Sequence, residues 1–96
     1  MKYIITEDRL QNVFNRFIKT IYEDIIYNSA TKEFISTKDG DVLGYVLYPR
    51  FGDGHFYYSD YPIERFINQI FGDRTNELLM KYLNSNFPGV NIKGIE

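Results

Sequence analysis

Cysteine is absent from this chain of 96 residues, which excludes a disulfide framework, a thiolate metal site and the small extracellular scaffolds that depend on disulfides. Histidine occurs once, at His55. A zinc site would have to be built from carboxylates around a single imidazole, a weak donor set for that ion. Long apolar runs are lacking too, and none approaches the roughly 18 residues that a membrane span needs. The opening "MKYIITEDRLQNVF" has an apolar stretch too short for a secretory h-region, with charges directly after it. There is no N-x-[ST] glycosylation acceptor. These absences predict a cytoplasmic protein with no membrane contact and no cofactor. An excess of one charge is missing as well: 13 acidic against 11 basic residues give a formal net charge of -2. That balance argues against a domain whose affinity comes from neutralising phosphates.

What the chain does have is large side chains. Apolar residues make up 44% of it and aromatic ones 18%, enough to offset the conformational entropy of ordering a backbone. A chain this short buries only roughly 60 to 65% of its unfolded surface and cannot support two cores, so residues 1–96 are expected to form a single domain, the last eight or so an edge strand or tail. Ile, Asn, Tyr, Phe and Lys are abundant while alanine occurs once, at Ala30, the usage of an AT-rich genome. The opening "KYIITEDRL" at residues 2–10 resembles the start of small uncharacterised proteins of tailed bacteriophages. The resemblance implies a phage setting and no catalytic residue.

Thr6 precedes a segment in which Leu10, Val13, Phe14, Phe17, Ile18, Ile21, Tyr22 and Ile25 recur at spacings of three and four. This is the period of an amphipathic helix, with Thr6 as its N-cap and Glu7 and Asp8 in its positive first turn. The period is predicted to continue to about Tyr27. "EFIST", "DVLGYVLYPR" and "HFYYSD" then bring branched and aromatic residues, separated by "KDGD" and "FGDG", and read as a three-stranded antiparallel meander. Pro62 opens a helix with Ile63, Phe66, Ile67, Ile70 and Phe71 on one face, Tyr61 being the last non-helical residue. Gly72 closes it, and Asp73 caps a last helix whose Leu78, Leu79, Tyr82 and Leu83 face inward. The fold class is therefore α+β: an N-terminal amphipathic helix, a three-stranded antiparallel sheet and two C-terminal helices. "FPGVNIKGIE" is a tail that adds an edge strand through Val90 and Ile92 if it is ordered.

Candidate chemistry concentrates in "YPRFGDGHFYYSDYP" at residues 48–62. His55 and Asp53 could perform acid-base work, as in a small hydrolase, but no spacing supplies a nucleophile and an oxyanion donor with them. Asp39 and Asp41 in "KDGD" lack the continuation of a calcium loop, and "GDG" lacks both the phosphate-cradle glycines and the helix that must follow them. The last two helices do not make a DNA-reading pair, because the second has Lys81 alone in mid-helix and Glu77 near its start. Strand alternation is more informative. In "DVLGYVLYP" plain alternation places Val42, Val46 and Tyr48 on one face and Leu43, Tyr45 and Leu47 on the other, so both faces are apolar. Either the long helix takes one face and the last two helices the other, or a partner protein or second copy covers the second face. Tyrosine suits the latter, having an apolar body and a hydroxyl that finds partners. The reading favoured by the sequence is a non-enzymatic protein-interaction module, self-associating as a homodimer, that binds through Tyr45, Tyr48, Arg50, His55, Tyr57 and Tyr61. The alternative is a single-stranded nucleic-acid binder that stacks bases on the same tyrosines.

Overall fold

A computed structural model describes the backbone of residues 7–50 and 52–96, and the side chains of residues 9–48 and 52–96. The Thr6 cap, the first-turn carboxylates, the Arg50 side chain and residues 2–6 of the phage-like opening lie outside the described residues.

The three-and-four spacing folds into helix α1, Glu7–Tyr22, which buries Phe14, Ile18 and Tyr22 and leaves Arg16 and Lys19 in solvent. It ends one turn earlier than the apolar period predicts. Glu23 adopts a left-handed φ of 57°, which stops helical propagation, and "IIYN" continues as strand β1, Ile25–Asn28. Ile25 continues the helical spacing, but two β-branched residues and a tyrosine pack better on a pleated surface.

Strands β2 (Glu33–Ser36), β3 (Val42–Arg50), β4 (Asp53–Tyr58) and β5 (Ile92–Ile95) complete one sheet in the order β1-β2-β3-β4-β5. The first four strands are antiparallel and β5 runs parallel to β4. The expected three-stranded antiparallel sheet is thus the middle of a five-stranded mixed one, with a strand added at each edge. The parallel strand follows from topology, since the chain crosses over through two helices before it returns to the sheet. These are α2, Tyr61–Phe71, and α3, Thr75–Asn86, joined by a 3-10 turn at Gly72–Arg74. Asp60 caps α2 by accepting from the Ile63 N–H at 3.2 Å, which makes Tyr61 the first helical residue. Arg74, and not Asp73, occupies the N-cap position of α3, with no capping side chain there; the Thr75 hydroxyl donates to the Gly72 carbonyl at 2.8 Å and tightens the turn.

One continuous core joins Phe14, Ile18 and Tyr22 of α1, Ile67 of α2 and Leu78, Leu79 and Leu83 of α3 to Phe34, Leu43, Val46, Phe56, Tyr58 and Ile92 of the sheet. All three helices therefore lie on the same side of the sheet. A β-bulge decides which side chains they meet. Phe34 pairs with Gly44 while Ile35 pairs with Val42, so Leu43 is the extra residue and turns into the core as Val42 turns out. Plain alternation had assigned these two residues to the opposite faces. Gly44 is obligatory beside the bulge, because a β-carbon there would overlap the Phe56 ring and the Tyr57 carbonyl.

Strand β5 is fastened by polar contacts. The Asn84 side chain donates to the Ile92 carbonyl at 2.9 Å and accepts from the Ile92 N–H at 2.7 Å, so one amide imitates a neighbouring strand. The Tyr48 hydroxyl donates to the Val90 carbonyl at 2.8 Å, the Asn91 amide to the Gly52 carbonyl, and the Glu96 N–H to the Phe56 carbonyl at 2.9 Å.

Candidate functional site: the uncovered sheet face

With every helix on one side, the second face of the sheet has no covering element among the described residues. Its surface follows from the register. Tyr45 of β3 sits directly opposite Tyr57 of β4, and their rings stack with centroids 5.3 Å apart and planes inclined by 11°. On one side of this stack runs an aliphatic row, Ile26, Ile35 and Val42, assembled across three strands. On the other side Leu47 faces His55. Ile26 and Leu47 are 50% and 48% exposed, an unusual state for branched aliphatic residues in mid-strand that have neighbours of the same kind.

His55 lies over Gly94, where a β-carbon would come within 3.1 Å of its Nδ1. That nitrogen is 3.1 Å from Oε1 of Glu96. The structure thus gives His55 a carboxylate partner in Glu96 and not in Asp53. Both members of the pair are open to solvent, and Nε2 has no protein partner among the described residues. The geometry holds the imidazole in place and, among the described residues, brings no nucleophile to it. Among the described residues there is also no group of three or more His, Asp or Glu side chains that could hold a metal ion. Glu33 stands opposite Tyr45 at the rim, and with Glu96 it places carboxylates at two corners of the face, which disfavour a phosphate backbone.

The sequence-predicted site residues divide into three groups. Tyr45, His55 and Tyr57 come together on the open face. Tyr48 belongs to the helix side of the sheet: its hydroxyl is taken by Val90, and Lys32 Nζ lies 5.3 Å above its ring. Tyr61 is 63% exposed in the first turn of α2, away from both. Plain alternation already sets Leu47 on the Tyr45 face, but Ile26, Ile35 and Val42 were missed as members of the surface. A strand at Ile25–Asn28 and the bulge at Leu43 were needed to find them, and neither has an unambiguous pattern in the sequence.

The described residues form two further surface features. Phe66 and Ile70, on the apolar face of α2, are 47% and 49% exposed, and the Phe66 ring stacks on Phe17 of α1. A polar cleft of about 280 Å³ between the C-terminal ends of α1 and α3, lined by Arg16, Lys19, Glu23, Asp24 and Tyr82, lies at the lower limit of ligand pockets and mixes charges of both signs. No described helix is long and apolar enough to cross a membrane. Comparison with known proteins gives no matching family model, no similar curated protein and no similar solved structure.

Proposed function

We propose that the chain is a non-enzymatic protein-interaction module that binds a partner protein across the uncovered sheet face. The observation that carries this reading is the stacked Tyr45 and Tyr57 pair, set among Ile35, Val42 and Leu47 on a face that no helix covers. Rigid aromatic anchors amid aliphatic neighbours are the usual centre of a protein contact, because they remove apolar area from water at low cost in side-chain entropy. Glu33 and Glu96 at the rim favour a partner whose apolar centre is bordered by lysine or arginine. The phage resemblance of residues 2–10 is in keeping with a host or virion protein as the partner, met in the cytoplasm of an infected cell.

The test is a pair of substitutions, Tyr45→Ser and Tyr57→Ser, in protein whose thermal unfolding shows that it remains folded. Affinity for a partner isolated with the wild-type chain, measured by titration calorimetry on purified components, is expected to fall by about tenfold or more for the double variant. Undiminished affinity in the folded double variant refutes the assignment of this face. Binding that instead follows single-stranded oligonucleotide and weakens steeply with salt transfers the same tyrosines to the nucleic-acid reading.

A further inference from the structure

The two edges of the sheet are treated differently. At β5 the Asn84 amide occupies both the N–H and the C=O of Ile92. At β1 no described group does the same. The phase of the ladder can be read from the flanking bonds: Thr37 N–H donates to the Asp24 carbonyl at 2.9 Å, and Val46 N–H donates to the Lys32 carbonyl at 2.9 Å. With Ile25 opposite Ser36, both bonds require Asp24, Ile26 and Asn28 to direct their backbone groups toward β2. The N–H and C=O of Ile25 and Tyr27 therefore point outward, and no described hydrogen bond reaches them. Natural edges of this kind are normally covered, bulged or charged. This one instead borders an open apolar groove formed by Ile25, Tyr27, Phe87, Pro88 and Val90.

We infer that β1 pairs with β1 of a second copy of this chain, in antiparallel register about a two-fold axis at Ile26. Two outward-facing residues spaced by two are self-complementary in that arrangement. Ile25 exchanges both backbone bonds with the partner's Tyr27, Tyr27 exchanges both with the partner's Ile25, and about four inter-strand hydrogen bonds form. Ile26, half-exposed in the monomer, meets its own image on the dyad. The same register sets Asp24 across from the partner's Asn28, so no like charges are opposed. The Asn28 Oδ1 already accepts from the Ala30 and Thr31 N–H groups, which leaves its NH₂ free for the partner's Asp24 carboxylate. On the helix side, each groove receives the partner's Ile25. A heterologous strand gains the backbone bonds but not this coincidence of spacing, apolar image and charge. The paired edge shares Ile26 with the aliphatic row of the open face but leaves Tyr45 and Tyr57, further in on β3 and β4, uncovered, so the pairing does not rest on the proposed function.

The contact is small, so a reversible dimer is expected at about 100 µM protein and dissociation at low micromolar concentration. Sedimentation equilibrium reads this directly. Ile26→Lys and Ile26→Glu each oppose like charges on the dyad at an exposed position that the fold does not need, and each is expected to weaken the dimer by about tenfold or more. An equimolar mixture of the two variants restores it, because the dyad then pairs lysine with glutamate. Amide exchange at Ile25 and Tyr27 should be slow in wild-type protein at high concentration and fast in either variant. A wild-type monomer at about 100 µM, or a mixture that fails to restore the dimer, overturns the inference. So does a dimer abolished by Tyr45→Ser and Tyr57→Ser yet indifferent to Ile26→Lys, which assigns self-association to the sheet face.

Discussion

Two buried tyrosines in this core have opposite relations to their hydroxyl groups. Tyr22 donates at 2.8 Å to the Asp60 Oδ2, while the other carboxylate oxygen of Asp60 caps α2; one aspartate thereby ties the end of α1 to the start of α2. Tyr58 is 4% exposed and its hydroxyl has no hydrogen-bond partner among the described residues. A hydroxyl stripped of water and left unpaired costs about 1 to 3 kcal/mol, whereas one bonded to a charged group contributes about 1.5 to 3. Tyr58→Phe should therefore be neutral or stabilising by about 1 kcal/mol, raising Tm by about 4 to 8 °C at most for a chain of this length. Tyr22→Phe should destabilise by about 1.5 to 3 kcal/mol. Urea denaturation of both variants decides the matter, and equal losses would mean that Tyr58 has a partner in solution after all.

At the scale of elements, the boundary between α1 and β1 depends on one residue in an unfavourable conformation. Glu23 holds φ at 57°, which costs an L-residue with a β-carbon roughly 1 to 2 kcal/mol and glycine almost nothing. The ion pair between Glu23 and Lys38, 3.1 Å long with both side chains more than half exposed, offsets little of that. Glu23→Gly should accordingly stabilise the fold by about 1 kcal/mol, and Glu23→Ala should not. Loss of stability on introducing glycine, followed by thermal denaturation, would show that the turn is not left-handed. The same boundary explains what could be read in the sequence. Phe14, Ile18 and Leu83 announced buried helix faces because their spacing has a single interpretation. Ile25 satisfied the helical period and the strand period at once, and the left-handed turn before it has no glycine to mark it. Pro88, Gly89 and Gly94 diluted the signal of β5, whose attachment comes from Asn84, a tertiary contact. The Leu43 bulge left no local trace, and it exchanged two residues between faces. Half of the candidate site was legible for the same reason: Tyr45 and Tyr57 lie beyond the bulge, where alternation holds, whereas the aliphatic row beside them depends on β1 and on Val42.

The whole molecule is one-sided, with helices and core on one face of the sheet, and its buried tyrosines lie on that side. Burial pushes the phenols of Tyr22, Tyr27, Tyr58 and Tyr82 upward. Tyr27 is raised to about 12, by burial first and then by its hydrogen bond with Tyr48. Tyr22 rises further, its burial reinforced by the bond to Asp60 and by the charge of that carboxylate. In the unfolded chain these phenols ionise near pH 10. Above that value the folded state binds more protons than the unfolded one, so stability must fall as pH rises. The contribution of each group is complete below about pH 10 and diminishes through the folded value, with a limiting slope of about 1.4 kcal/mol per pH unit for each proton retained. Lys38, raised by its bond to Glu23, acts in the same direction from an exposed position. Stability measured by urea denaturation should therefore be level up to about pH 10 and decline steeply between about 10 and 12. The buried share of the tyrosinate absorbance should appear together with the loss of the circular dichroism of the fold. In Tyr58→Phe the slope should decrease by up to one proton, since that phenol no longer takes part. Complete ionisation of all the tyrosines before any unfolding would mean that water reaches the helix side of the sheet, and that the core is not closed there.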